Sequence, residues 1–466
     1  MNLLIKNGKI ITHSDEQVAD ILISEGKIKN ISPNLNVSDE VLKKGRYIII
    51  DAKEHLVLPG AVDAHTHFEL PILGTFSADS CVSGSIAAAC GGVTTFIDYC
   101  TQEDDKSIFE SLDVRRGKFE KFSAIDFTLH LTVNNVSEKL IKDLHGLKAY
   151  GVSSVKLFTA YKNMMINDED FEKVLEKSKV EGFLVTVHAE NQDEIDKNIE
   201  RLVDENTLKP WNHYESRPES VEASAVKRVL EMVEKLDTDI YFVHLSSKES
   251  LDLIIKSKKA GFRIFAETCP QYLNFNNEVY NRHDAENFIC SPPIKGEASR
   301  KALWAGIADG YIDTVATDHC PFNLDEKRWG KEDFRNAPNG CMGVENLYPF
   351  ILSKANSGEI TFSKAVELCS TNPARIFGCY PKKGTIAVGS DADIVIYDPG
   401  KVFTITKEKM HSDVDYTIWE GIELKGYPIV TISRGKIIYK DGTFTGAPGW
   451  GKFVKCALKK HKGEKK

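Results

Sequence analysis

Apolar residues recur along the chain in two rhythms. Both ends alternate short β patterns with tight turns: LLIKNGKII and DILISEGKIKNI near the start, DADIVIYDP and YPIVTISRGKIIYKDGTF near the finish. KNGK and SEGK are hairpin-like signals, where Gly supplies a backbone conformation that tight turns demand. The middle differs. Eight short apolar runs, AVDAHTH, TTFIDY, FTLHLTV, SSVKLF, LVTVHAE, IYFVHLS, RIFAETC and TVATDH, are separated by helical patterns such as DEDFEKVLEKSKVEG and KESLDLIIKSKKAG. Continuous apolar runs suit parallel strands buried on both faces. Eight of them alternating with helices predict an α/β architecture: a (β/α)8 TIM barrel with a discontinuous β-sandwich domain built from both chain ends. The expected divisions are residues 1–55 and 381–446 for the two parts of the sandwich, 56–380 for the barrel and 447–466 for a C-terminal tail. One long connection, 191–225, carries Trp211, Tyr214 and the motif RPES, and is expected to be an ordered excursion.

Composition narrows the function classes. The 466 residues are 42% hydrophobic and 27% charged, with a formal net charge of −8. Mild acidity argues against a nucleic-acid partner, and the basic end KKHKGEKK reads as a solvated tail. The ten cysteines are scattered without a CxxC pair, which suits a reducing compartment better than a disulfide framework. No apolar core in MNLLIKNGKIITHSDEQ marks a signal peptide, and no run approaches the roughly 18 apolar residues that span a membrane. The expectation is a cytoplasmic globular protein with neither nucleic acid nor membrane as partner.

Candidate chemistry lies at the strand ends, where barrels of this type build their sites. The first run ends in His65-Thr66-His67, and period-two spacing puts both imidazoles on one face. The fifth ends in His188, the sixth in His244 and the eighth in Asp318. Imidazoles with a carboxylate suit zinc, with manganese, cobalt or iron as other fits. The fourth run, SSVKLF, carries Lys156 in an apolar strand. An ammonium beside two dications is repelled. If its amine adds carbon dioxide, the carbamate brings a negative charge and one oxygen for each metal, and burial favours that addition by lowering the amine pKa.

The motifs PGAVDAHTHFELPILGT, GVSSVKLFTAYKN, VTVHAEN, YFVHLSS, ETCPQYL, CSPPIK, VATDHCPF, NAPNGCMGVEN and DYTIWEGIELKGYPIVTISRGKI run in order from about residue 58 to 437. In them the chain resembles the dihydropyrimidinase and D-hydantoinase family of the cyclic amidohydrolase superfamily. The resemblance implies a binuclear zinc site. His65, His67 and Asp318 would bind one metal and His188 and His244 the other, with Lys156 as N6-carboxylysine and a hydroxide bridging them. It implies substrate contacts at Tyr161, Ser291 and Asn339, the last two mainly through backbone groups, and a homotetramer. The implied reaction is hydrolytic opening of 5,6-dihydropyrimidines, such as dihydrouracil and dihydrothymine, or of 5-substituted hydantoins to N-carbamoyl amino acids. The bridging hydroxide would attack the ring carbonyl, Tyr161 would stabilise the oxyanion and Asp318 would shuttle the proton.

Three other readings are weighed. Dihydroorotases place an Arg directly after the HxH pair; here Phe68, Glu69 and Leu70 supply no such cation. Allantoinases share the metal set but carry a more polar stretch than FELPILG. Non-catalytic scaffold relatives lack metal ligands, whereas all six positions are filled here. Phe68, Leu70, Ile72, Leu73, Phe158, Met164 and Met165 are candidates to surround the ring substituent, with packing as the equal alternative for apolar loop residues. The stretch GAPGWGKFVK, with Trp450 and Phe453, is expected to dock on a neighbouring subunit, the alternative being a segment folded onto its own chain.

Overall fold

A computed structural model describes residues 2–35, 44, 47–103 and 105–458. At its centre eight parallel strands follow one another in chain order: β1 (Ala61–Thr66), β2 (Val93–Thr101), β3 (Asp126–Thr132), β4 (Ser154–Phe158), β5 (Leu184–His188), β6 (Ile240–Phe242), β7 (Ile264–Thr268) and β8 (Thr314–Val315). A parallel bridge between Thr66 and His319 brings the end of β8 against β1, closing the expected barrel. Every residue of β1 and β3 is buried, as their near-continuous apolar pattern requires. β6 and β8 are shorter than their sequence runs. The chain leaves the sheet after Phe242 and Val315 and reaches left-handed backbone at His244 (φ 40°) and Asp318 (φ 51°).

The helices between strands follow from their periodicity. Helix Asp168–Glu181 is capped by Asn167, which accepts from the Asp170 N–H, and Asp168, Glu169 and Asp170 complement the dipole of its first turn. Gly182, at φ 78°, ends it. Phe171, Val174, Leu175 and Ser178, spaced three or four apart, form its buried face. Burying each of the three apolar side chains stabilises by about 1.5–3 kcal/mol, so a charge at Val174 would undo this face.

Both chain ends share one nine-stranded sheet. Strand Leu56–Pro59 pairs with Ile394–Thr404 on one side and with Asn2–Ile11 on the other. Asn2–Ile11 also pairs with Tyr47–Asp51, so the sheet branches there. Leu3, Ile5, Ile21, Ile394 and Ile432 belong to the core of this end domain. The expected division at residue 55 falls one residue before strand Leu56–Pro59, which leads through Gly60 into β1. A Cβ at Gly60 would lie 2.2 Å from the Thr94 hydroxyl oxygen, which explains the glycine. A buried ammonium clasps the two units: Lys383 Nζ donates to Asp126 Oδ2 on β3 (2.5 Å) and to Asp393 Oδ2 beside the end sheet (2.6 Å).

The C-terminal segment packs on its own chain. Phe127 N–H donates to Lys452 O (3.1 Å), Val454 N–H to Phe127 O (2.7 Å) and Cys456 N–H to Gly151 O (2.8 Å), at the N-terminal ends of β3 and β4. Trp450 lies under the Arg434 guanidinium, 4.3 Å from Cζ to the ring centre. The residues expected to reach a neighbour, Trp450 and Phe453, thus have partners within the chain. Residues 459–466, the basic end, lie outside the described residues. All ten cysteines are buried and free. Among the described residues no helix is long and apolar enough to cross a membrane.

Candidate active site

The C-terminal strand ends bring the predicted side chains together. β1 delivers His65, and His67 follows one residue beyond its end. Their Nε2 atoms lie 3.1 Å apart, and Asp318 Oδ1 lies 3.0 Å from the first and 3.2 Å from the second. Donors on a tetrahedral ion with bonds of about 2.0–2.1 Å stand about 3.3 Å apart, so this triangle fits a divalent metal. His65 Nδ1 lies 2.8 Å from Glu267 Oε1 on β7, which directs the opposite nitrogen to Asp318. Against the cost of burial, Asp318 and Glu267 hold His65 up to about 9.

A second imidazole pair stands beside the first. His188 Nδ1 and His244 Nε2 are 2.8 Å apart, and the His65 and His244 rings are 5.4 Å apart. His188 Nε2 lies 2.9 Å from Glu190 Oε2, which also accepts from Arg217 Nη1 at 2.5 Å. Glu190 thereby draws the ring proton to Nε2 and turns the lone pair of Nδ1 toward His244. Two nitrogens facing each other at this distance need a proton or a cation between them, and a metal supplies one.

Lys156 stands on β4 with 1% exposure. Its Nζ lies 5.2 Å from the Tyr99 ring centre and 5.1 Å from that of Phe158. Burial among these rings brings the amine down to about 7, although Asp318 and Glu267 pull the other way. Burial strips the ammonium of its hydration, so the neutral amine gains even though the two ring faces attract the charged form.

Tyr161 follows β4 at φ 66°, held by donation from its backbone N–H to Gln192 Oε1 (2.7 Å). Its ring lies 5.2 Å from the His188 ring, with Arg217 Cζ 5.5 Å from its centre. Burial raises its phenol pKa while Arg217 pulls it down. With His244 and Asp318, Tyr161 makes three non-glycine residues of the site in left-handed backbone, a conformation that costs about 1–3 kcal/mol each and gathers at functional sites. Ser291 and Asn339 come from the loops beyond β7 and β8. Asn339 Nδ2 donates to Ser291 Oγ (2.9 Å), which ties the two loops together.

Sequence reasoning missed Glu267, Glu190 and Arg217, which orient the predicted imidazoles and tyrosine. Their signals were present: a lone carboxylate in each of RIFAETC and LVTVHAE, and the arginine of RPES. Phe68 is a correction. It is fully buried and packs edge-on against Phe96 at 5.1 Å, so it belongs to the core and not to a substituent pocket. Leu73 and Met165 are exposed, and Phe158 stacks on His188 at 5.5 Å.

A parallel barrel with imidazole pairs, a carboxylate and a buried lysine at one mouth is a scaffold with candidate ligands for a divalent metal. The model of the amidohydrolase family matches residues 56–438. The chain belongs to that family. It is 39% identical over 459 residues to a D-hydantoinase of Ralstonia pickettii, covering 98% of this chain and 99% of the relative. A solved D-hydantoinase structure superposes with a TM-score of 0.94 at 38% identity, over 98% of this chain and 99% of that one. A crystal structure of dihydropyrimidinase from Brevibacillus agri gives 0.93 at 34% identity, with 98% and 99% covered.

Proposed function

We infer that this protein is a cyclic-amide hydrolase that opens 5,6-dihydropyrimidine and 5-substituted hydantoin rings to N-carbamoyl amino acids. One observation carries the reading. Two imidazole pairs, Asp318 and a fully buried lysine converge at the mouth of a barrel whose relatives are named D-hydantoinase and dihydropyrimidinase.

In this reading His65, His67 and Asp318 hold one divalent ion and His188 and His244 the other, with zinc as the metal that the nitrogen and oxygen donors suit. Lys156, once its neutral amine had added carbon dioxide and lost a proton, would carry a carbamate whose negative charge and oxygens would help hold the ions. The bound metals would lower the pKa of water and so provide the nucleophile at neutral pH. Asp318 takes up the proton released in the attack and returns it to the departing ring nitrogen. The Tyr161 hydroxyl donates to the ring carbonyl oxygen as negative charge grows there. Main-chain groups at Ser291 and Asn339 orient the ring amide.

Steady-state kinetics on dihydrouracil, hydantoins with apolar 5-substituents, allantoin and dihydroorotate test this. The first two classes should give the highest kcat/KM; turnover confined to allantoin or dihydroorotate would overturn the assignment. Elemental analysis should return two divalent metals per chain, and a fully active enzyme holding one would remove the second site. A homotetramer is proposed on family likeness, with light scattering as its measure. The cytoplasm is proposed as the compartment, supported by ten free, buried cysteines.

A further inference from the structure

The side chain of Lys327 is completely buried at the end of the short helix Leu324–Lys327. Its partners are all main-chain carbonyls: Nζ donates to Ile289 O (2.7 Å), Pro338 O (3.0 Å) and Gly340 O (3.1 Å). An ammonium has three protons, and each meets one acceptor. Burial lowers the pKa of this lysine, which gives up its hydration for these three bonds. The cluster is far from arbitrary in sequence. Ile289 lies two residues before Ser291, and Pro338 and Gly340 flank Asn339. The two loops touch elsewhere through Gly340 N–H to Ile289 O (3.0 Å) and Asn339 Nδ2 to Ser291 Oγ (2.9 Å). Gly340 has φ 154°, and a Cβ there would lie 2.1 Å from Cys320 O, two residues beyond Asp318. The loops cannot drift apart without breaking the Lys327 bonds.

We propose that Lys327 is a positioning residue that fixes the spacing of the two substrate-recognition loops, acting through the backbone at Ser291 and Asn339. This rests on the proposed function for what the loops recognise, but the clamp itself is a property of the chain. Ring-opening substrates present a planar amide with fixed spacing between its oxygen and nitrogen atoms. Main-chain donors and acceptors on two separate loops match such a ring only at one separation. Lys327 holds that separation by a charge and three short bonds. Arginine would not replace it, because a planar fork cannot direct protons to three carbonyls around a point.

The test is Lys327→Met, which keeps the stem and removes every proton donor, with Lys327→Gln as a second variant that keeps two. KM for dihydrouracil or hydantoin should rise at least tenfold, with kcat within threefold of wild type and metal content unchanged. Backbone hydrogen exchange, measured without substrate, should quicken in residues 289–291 and 339–341 more than in the barrel strands. A folded Lys327→Met protein with wild-type KM and unchanged exchange at both loops overturns the proposal. So does a fall in kcat with loss of metal, which would place Lys327 in support of the metal site, and failure of both variants to fold, which would give it to the fold alone. If wild type turns over neither substrate, the functional reading fails while exchange still decides the clamp.

Discussion

Replacing Lys156 perturbs the site most directly, and the size of its effect can be worked from the surroundings. Carbon dioxide adds only to a neutral amine. With its pKa brought to about 7, Lys156 is about three-quarters neutral at pH 7.5, against about one part in a thousand for an ordinary lysine near 10.4. The environment therefore raises the reactive fraction several-hundred-fold before any metal arrives. The sign matters: burial penalises the charged form, so the amine is neutral above about pH 7 and protonated below. Reactivation of metal-stripped enzyme with zinc and bicarbonate should accordingly weaken as pH falls through 7.

On the proposed reading Lys156→Ala should lose metal and activity, since it removes the amine that would carry the two carbamate oxygens. Acetate or propionate supplied with zinc should restore a small fraction of turnover, because each brings two oxygens and one charge in their place. Wild type reconstituted with isotopically labelled bicarbonate should show one carbamate carbon by NMR, absent from the variant. A bare amine in electron density with both metals fully occupied, or full activity of the alanine variant without added acid, would refute the reasoning.

Other outcomes follow from the same geometry. Tyr161→Phe should keep its metals and ring position and lose about 10²–10³ in kcat, the usual effect of removing one oxyanion donor; a loss below tenfold makes Tyr161 a wall. Asp318→Asn should abolish turnover and lower metal content, since one carboxylate serves both, and wild-type kcat would remove it from the reaction. Glu267→Gln should weaken metal binding by about 10–100-fold in a chelator titration, because the amide holds the wrong His65 tautomer as readily as the right one; unchanged affinity would mean that Glu267 only fills the core. Deleting residues 447–466 should lower the thermal midpoint, since burial of Val454 alone stabilises by about 1.5–3 kcal/mol; an unchanged midpoint would mean the segment is a loose cover.

The barrel was legible because strands buried on both faces must be apolar throughout, and its candidate ligands because they interrupt those runs at their ends. The same alternation, applied one residue further, separates His67 from Phe68. His65 and His67 face inward, so Phe68 faces the helices, where Phe96 meets it. The apolar run FELPILG hid that step. Glu267 showed in the sequence only as a lone carboxylate in RIFAETC, with its role hidden for another reason. Its partner His65 lies 202 residues away, and nothing local distinguishes a carboxylate that orients a ligand from one that ends a strand. Lys327 sits in NLDEKRWGKED, whose charge density reads as a solvated surface, yet its ammonium is fully buried. Sequence likewise could not say which surface Trp450 and Phe453 would cover.

The least legible feature is the one that shortens β6 and β8. His244, Asp318 and Tyr161 occupy left-handed backbone, which is uncommon in non-glycine residues even though His and Asp visit it more readily than most. Continuing the strands would keep more ladder bonds and avoid that strain. The turns instead bring His244 Nε2 to 2.8 Å from His188 and Asp318 Oδ1 to within 3.2 Å of two imidazoles. Local preference is overruled where distant side chains must meet, and a metal shared among them would return the energy that the backbone gives up. Such positions stay invisible to a reading that scores each segment by its neighbours, and they mark the chemistry once the fold is in view.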